Sequence, residues 1–277
     1  MKGSGLRTVE IQWLLQSIQS VAKDQLSFEL KLIEALERLE FGEPLQYVLG
    51  SWQFRNLEVH VDRRALIPRA ETELIVDIVN DLLRAERSYE HCPRTVVEIG
   101  LGTGVISLAI AQENPSIQVF GTEVDAAAFS LAQENLEVIS CGNGTVTDRV
   151  TFLLGSLFEP IPIGLERGVD VVVSNPPYLS EELYQSAEPK VRDFEPELAL
   201  TPGGDGLGVL ALIARDAVPF LRVGASLILE HSPEQRAPLA KILEMLGYEG
   251  VRCIKDLVGR DRFTVAVAPK RRAKEAG

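Results

Sequence analysis

The sequence holds little that would serve metal, disulfide or membrane chemistry. Its 277 residues include three cysteines, Cys92, Cys141 and Cys253. They stand far apart, with no metal-ligand spacing and no even count for a disulfide framework, so no metal is expected and a reducing cytoplasm fits. No apolar run reaches ~18 residues, so no membrane-spanning helix is expected. The first stretch, MKGSGLRTVEIQWLLQ, lacks the apolar core of a secretory leader. Without secretion, the sequon Asn143-Gly144-Thr145 reads as a turn. Excess positive charge is also missing: 28 Lys and Arg face 40 Asp and Glu, a net charge of −12. Proteins that grip a nucleic-acid backbone usually carry a basic face. A protein or small-molecule partner is therefore expected, without direct nucleic-acid binding.

What remains is an ordinary globular composition, 45% hydrophobic and 25% charged. The length suits one large domain or one with a small companion. Residues ~8–40 carry helical spacing at Leu14, Leu15, Ile18 and Val21, then at Phe28, Leu32, Leu36 and Leu39, with Ser27 as the expected N-cap of the second segment. YVLGSWQFRNLEVHVD alternates apolar and polar residues and predicts a small hairpin. LIPRAETELIVDIVNDLLRA enters a helix near Glu71 or Thr72. From residue ~95, apolar strands (TVVEI, IQVFGT, VTFLL, DVVVS, SLILEH) alternate with amphipathic helices, the pattern of a mostly parallel, doubly wound sheet. VRCIKD and RFTVAVA are joined too closely for a crossover, so they form a terminal antiparallel hairpin. The charged tail PKRRAKEAG is expected to fray.

The first strand of this series runs into Glu98-Ile99-Gly100-Leu101-Gly102-Thr103-Gly104. Glycines permit the tight turn and let a ligand approach the backbone. The spacing is G-x-G-x-G rather than the dinucleotide G-x-G-x-x-G, and an acid precedes it. A pyrophosphate is therefore not the natural guest, and an acid at Glu98 suits an amino group such as that of a methionine moiety. Glu123 ends the next strand about 20 residues later, where a carboxylate can accept both hydroxyls of a ribose. Asp125 is the alternative for that role, or else it caps the following helix. A nucleoside carrying an amino acid is implied: S-adenosylmethionine.

The fourth strand stops at Ser174-Asn175-Pro176-Pro177-Tyr178. Prolines cannot continue a ladder, and this end of an open α/β sheet lines the ligand crevice. The Asn175 side-chain oxygen and a carbonyl among the prolines are two acceptors with fixed directions. Two acceptors suit a planar NH₂ group, and Tyr178 offers it a flat face. Such a nitrogen is a weak nucleophile, because its lone pair is delocalised. Holding both hydrogens turns that lone pair toward a sulfonium methyl, so the rate gain comes from orientation and electrostatics. Adenine, guanine and glutamine amines all remain open.

GEPLQYVLG, FRNLEVHVDRRALIPRAETELIVD, EIGLGTGVISLAIA, VVSNPPYLS, VRDFEPELALTPGGDGL and DLVGRDR occur in that order. In them the chain resembles the bacterial peptide chain release factor glutamine N5-methyltransferases, the HemK/PrmC family, from Gly42 to about Ala268. NPPY alone is shared with adenine-N6 methyltransferases; LIPRAETE and FEPELAL are more specific. The resemblance implies a Rossmann-like class I S-adenosylmethionine-dependent methyltransferase, α/β, with a mostly parallel seven-stranded sheet and a small helical N-terminal domain. It implies residues 1–45 as a helical docking domain, 46–70 as a hairpin linker and 71–277 as the methyltransferase domain. The implied substrate is the glutamine of the Gly-Gly-Gln loop of class 1 release factors, modified by a monomer. Carried over by motif, Glu98, Gly100, Leu101, Gly102, Thr103, Gly104, Glu123, Leu157 and Asn175 hold the cofactor. Asn175, Pro176, Pro177 and Tyr178 grip the glutamine, with Asn175, Pro176 and Tyr178 as the catalytic set.

Two departures stand out. The family often has an Asp and an aromatic residue beside the adenine, where this chain has Ser156 and Leu157. Only ~40 residues precede GEP, fewer than the family's helical domain implies, so docking is expected to differ. Arg69 is read as either a ligand contact or a partner of Glu71 or Glu73. Arg192 and Glu195 are expected to shape the pocket wall by pairing. Glu230-His231 ends the fifth strand, with the histidine read as a satisfied polar group rather than a proton acceptor. Asp205 of Gly203-Gly204-Asp205-Gly206 is expected to cap the next helix. The competing functions are a nucleic-acid amino-methyltransferase, a ribosomal-protein glutamine methyltransferase and a non-catalytic binding module.

Overall fold

A computed structural model describes residues 7–85, 94–142 and 146–270. Cys92, the expected turn at 143–145 and the tail beyond 270 lie outside the described residues.

Two helical segments open the chain, α1 (Thr8–Val21) and α2 (Gln25–Glu40), followed by a short α3 (Leu45–Leu49). The α2 cap differs from expectation: Asp24 is the N-cap, and its carboxylate accepts the Ser27 N–H at 2.7 Å. Both residue types suit a cap, and the stronger acceptor sits three positions earlier, where it reaches the free N–H. Leu14, Ile18, Ala35 and Leu45 form a small core of their own, with Phe28, Leu32 and Leu39 against it. The hairpin β1 (Ser51–Phe54) and β2 (Leu57–His60) lies where its alternation predicts. Phe54, Leu57 and Val59 belong not to the helical cluster but to the large core that contains the sheet.

After α4 (Glu73–Ala85) comes the alternating series: β3 (Arg94–Ile99), α5 (Val105–Glu113), β4 (Ile117–Glu123), α6 (Ala126–Gly142), β5 (Val150–Leu154) and β6 (Val169–Ser174). Three short helices follow, α7 (Glu181–Gln185), α8 (Pro189–Arg192) and α9 (Glu197–Leu200), then α10 (Leu207–Ala217), β7 (Leu221–Glu230), α11 (Arg236–Met245), β8 (Glu249–Lys255) and β9 (Asp261–Val267). The seven-stranded sheet has the order β5-β4-β3-β6-β7-β9-β8. Its first five strands in that order are parallel, and β9 pairs antiparallel with both β7 and β8. Val96, Val171 and Val173 face one core, while Val97, Val169 and Val172 face the other. Both faces are covered, which is why these strands read as near-continuous valine runs. No helix among the described residues is long and apolar enough to cross a membrane.

The order reverses between β3 and β6. From β3 the chain winds outward through β4 and β5, then returns to place β6 on the other side of β3. Ligands bind at such switch points, outside the carboxyl ends of the strands. The two motifs of the sequence leave from these two neighbouring strands.

Candidate functional site

A cavity of about 430 Å³ opens at that switch point, lined by the glycine-rich turn, Glu123, Leu157 and the Asn-Pro-Pro segment. The turn after β3 places Gly100, Gly102 and Gly104 at φ of 80°, 53° and 79°, the left-handed region that a side chain resists. Gly104 is also the N-cap of α5, so the free N–H groups of that helix start at the cavity. Leu101 turns its side chain inward against Gly121 of β4, where an added Cβ would overlap it.

Three carboxylates have distinct surroundings here. Glu98 is buried at the end of β3, and its Oε2 accepts the Ser107 N–H at 2.9 Å and the Ser107 hydroxyl. Its Oε1 is buried without a partner and belongs to a side chain lining the cavity. Burial, opposed by the Ser107 bonds, pushes this carboxyl up to about 8. Glu123 ends β4; its Oε2 accepts the Gly102 N–H at 2.9 Å, and its Oε1 accepts Val124 and Asp125 N–H groups at 2.9 and 3.0 Å. A carboxylate has about four acceptor positions, so one stays open to a ligand hydroxyl. Asp125 accepts the Ala127 and Ala128 N–H groups at 2.7 and 3.0 Å at the start of α6, the capping role.

The second motif is held against the first. The Ser174 hydroxyl donates to the Ile99 carbonyl at 2.6 Å, immediately before Gly100. Asn175 donates from Nδ2 to the Thr72 hydroxyl oxygen at 3.3 Å. Thr72 in turn donates to Glu230 Oε2 at 3.0 Å, and the Tyr178 hydroxyl donates to Glu230 Oε1 at 3.1 Å. Arg262 donates to the Tyr178 oxygen at 3.1 Å, with its guanidinium 5.8 Å from the ring centroid. Burial and the Glu230 carboxylate push the Tyr178 phenol up. Behind the segment, Gln235 donates to the Tyr178 carbonyl at 2.7 Å and to the Asp205 carbonyl at 2.9 Å. Gly206, at φ 72°, packs so close to the Tyr178 carbonyl that a Cβ there would collide with it. The Gly-Gly-Asp-Gly loop is thus a brace for this segment. Asp205 also accepts the Leu207 N–H at 2.9 Å, as expected of a cap.

Several other sequence candidates fall into place. Arg69 pairs with neither Glu71 nor Glu73 but donates to buried Glu195 at 2.6 Å, and the other Glu195 oxygen accepts the Ile67 N–H at 3.1 Å. Glu195 therefore ties the LIPRAETE stretch to the segment beside α9. Arg192, expected on the pocket wall, instead pairs at the surface with Asp193 and does not line the cavity. His231 is fully buried, between the Ser232 carbonyl at 2.7 Å and the Thr264 hydroxyl at 2.8 Å. Leu157 lies on the cavity wall at φ 48°. Sequence reasoning did not single out Thr72 as a site residue, nor Arg262; the one available signal was that Thr72 and Glu230 both stand where an element meets the crevice. Among the described residues no cluster of His, Cys, Asp and Glu could hold a metal.

The family model described as "Methyltransferase small domain" matches residues 74–194. The chain is 37% identical over 234 residues to a "Release factor glutamine methyltransferase" of Rhodopirellula baltica, covering 83% of this chain and 75% of the relative. It is 32% identical over 277 residues to the protein of the same name from Synechocystis sp., covering 95% of this chain and 90% of the relative. Among solved structures, the catalytic domain of hMettl16 in complex with MAT2A 3′UTR hairpin 6 matches with a TM-score of 0.59 at 19% identity, covering 78% of this chain and 77% of that one. The N-terminal domain of human METTL16 in complex with SAH matches at a TM-score of 0.55 and 20% identity, over 77% and 76% of the two chains. At these identities the solved structures speak to the fold alone, a Rossmann-like methyltransferase sheet.

Proposed function

The chain belongs to the release factor glutamine methyltransferase family, and from that premise we propose that it methylates the side-chain amide nitrogen of the Gly-Gly-Gln glutamine in class 1 release factors. The observation that carries this reading is the Ser174–Ile99 bond, which sets the Asn-Pro-Pro segment beside the glycine-rich turn in one cavity. The methyl donor is S-adenosylmethionine, whose sulfonium supplies an electrophilic carbon and leaves as a neutral thioether.

The residues fit that molecule. Buried, unpartnered Glu98 Oε1 takes its ammonium group, and Glu123 takes a ribose hydroxyl on its open acceptor position. Gly100, Leu101, Gly102, Thr103 and Gly104 form the floor, and Leu157 packs on the adenine. Asn175 Oδ1 and the Pro176 carbonyl accept the two amide hydrogens of the glutamine. Pro176 and Pro177 keep both acceptors rigid, and Tyr178 stacks on the amide plane. The amide nitrogen then meets the methyl with its lone pair forward. With S-adenosylmethionine bound, a new N–C bond would form as the C–S bond breaks, and the proton released by the nitrogen would pass to water.

The helical residues 1–45 would dock the factor, residues 46–70 would join them to the methyltransferase domain at 71–277, and a monomer would suffice. Nucleic acid is not the substrate in this reading. Labelled S-adenosylmethionine offered with purified release factor, its loop Gln→Ala variant and duplex DNA tests it. Label on the wild-type factor alone is expected. Label on DNA, or on the Gln→Ala factor at equal rate, would overturn it.

A further inference from the structure

The segment that grips the substrate amide is itself governed from behind by one buried carboxylate. Glu230 sits at the last position of β7, 2% exposed, and Thr72, just ahead of α4, is 3% exposed. Water is therefore a poor substitute partner for either. Glu230 reaches both ends of Asn-Pro-Pro-Tyr, the asparagine through Thr72 and the tyrosine directly.

The geometry points to Thr72 and Glu230 as positioning residues that fix which way round the Asn175 amide stands. This rests on the reading of Asn175 as the acceptor of the substrate amide. The argument is one of counting protons. Burial pushes the Glu230 carboxyl up to about 7, opposed by the Thr72 hydroxyl, the Arg262 guanidinium and the Tyr178 hydroxyl. Above that pH it is ionised and only accepts, and a threonine hydroxyl has a single proton to give. That proton goes to Glu230 Oε2 at 3.0 Å, so the Thr72 oxygen is left to accept. Of the two ends of the Asn175 amide, only the NH₂ can then face Thr72, and it does so at 3.3 Å. The carbonyl oxygen is left for the cavity that Asn175 lines.

The orientation matters because the two ends of an amide have nearly the same shape. Turned over, Asn175 would present NH₂ hydrogens to the NH₂ hydrogens of a glutamine, donor against donor. Packing alone discriminates weakly between these states; the direction of the Thr72 hydrogen bond discriminates strongly. Tyr178 is set by the same carboxylate. Its one proton goes to Glu230 Oε1 at 3.1 Å, and Arg262 donates to its oxygen at 3.1 Å, so the ring has no free hydroxyl to reorient. Between these two anchors lie only the two prolines, which have no N–H and fixed φ.

Thr72→Val keeps the shape and removes the hydroxyl; Thr72→Ser keeps the hydroxyl. The assay is steady-state methyl transfer to purified release factor, with cofactor binding by calorimetry and melting of each variant as controls. Thr72→Val is expected to lower kcat on the order of 100-fold, the cost of a misdirected contact in a reacting geometry, while cofactor affinity stays unchanged. Thr72→Ser is expected to recover most of the rate. Equal kcat in Thr72→Val and wild type, or a Thr72→Ser enzyme as slow as Thr72→Val, would overturn the assignment. A second readout is independent of substrate. The Asn175 side-chain NH₂ pair in a ¹H–¹⁵N spectrum, identified by its loss in Asn175→Asp, should shift in Thr72→Val and stay in Thr72→Ser. An unmoved signal in Thr72→Val would sink the relay even where release factor proved not to be the substrate. A moved signal without methyl transfer by the wild type would uphold the relay and sink the substrate reading.

Discussion

The Ser174 hydroxyl and the Ile99 carbonyl, 2.6 Å apart, fasten the end of β6 to the end of β3 across the switch point of the sheet. Ser174 is fully buried, so water would not readily replace its bond to the Ile99 carbonyl. Ser174→Ala should cost about 1 kcal/mol of stability, as for a lost buried hydrogen bond. It should also weaken cofactor binding and lower kcat together, because both motifs shift. Denaturant unfolding and cofactor calorimetry check this; a variant of unchanged stability and activity would show that the two strand ends hold their places without it.

Asn175→Ala removes an acceptor without opening a core, since its side chain is only half-buried. Methyl transfer to the release factor should fall by roughly 100- to 1,000-fold, the range for deleting one preorganised hydrogen-bonding group. Cofactor affinity should fall far less than turnover, and melting temperature should change little. A single-turnover measurement separates this from altered product release, and near-normal turnover would contradict the role given to Asn175.

Glu123→Ala and Asp125→Ala should separate the two acids after β4. Glu123 braces Gly102, so its loss should loosen the glycine turn and weaken cofactor binding by tenfold or more, at about 1.5–3 kcal/mol for a charged hydrogen bond. Asp125 caps α6, so its loss should cost about 1 kcal/mol of stability with affinity retained. The opposite pattern in calorimetry would move the ribose contact to Asp125.

Glu98 makes a prediction about pH. Its carboxyl rises from 4.5 to about 8 on folding, because burial disfavours the charged form. Between those two pH values the folded chain binds a proton that the unfolded chain has released. Stability of the ligand-free protein should therefore fall as pH rises through this window. Glu98→Gln should flatten that part of the profile and bind cofactor less well. A melting profile in Glu98→Gln as steep as the wild type's would place the titration elsewhere.

Gly206→Ala should be tolerated poorly, because the position has φ 72° and a methyl there meets the Tyr178 carbonyl. Turnover should drop while cofactor binding, on the far side of the cavity, persists. Normal turnover would mean that the loop does not brace the segment.

The strands, the glycine turn and the Asn-Pro-Pro-Tyr segment were legible in the sequence because each is local: valine runs, left-handed glycines and prolines act over a few residues. The hydrogen bonds that make a site of them were not. Thr72 and Glu230 meet across 158 residues, and Arg69 finds Glu195 across 126. In the sequence Thr72 reads as a helix start, and Arg69 reads as a neighbour of Glu71. The α2 cap was missed for a different reason. Asp24 and Ser27 both suit the role, and the choice depends on where the first helical turn closes. Nor does the sequence show that Leu157 takes a left-handed φ of 48° on the cavity wall.

The measurement that tests the account most directly is tandem mass spectrometry of release factor after incubation with the enzyme and S-adenosylmethionine. One added methyl on the glutamine of the Gly-Gly-Gln peptide, absent with Asn175→Ala enzyme, is the predicted result. A methyl on any other residue, or an unmodified peptide after prolonged incubation with cofactor-loaded enzyme, would contradict it.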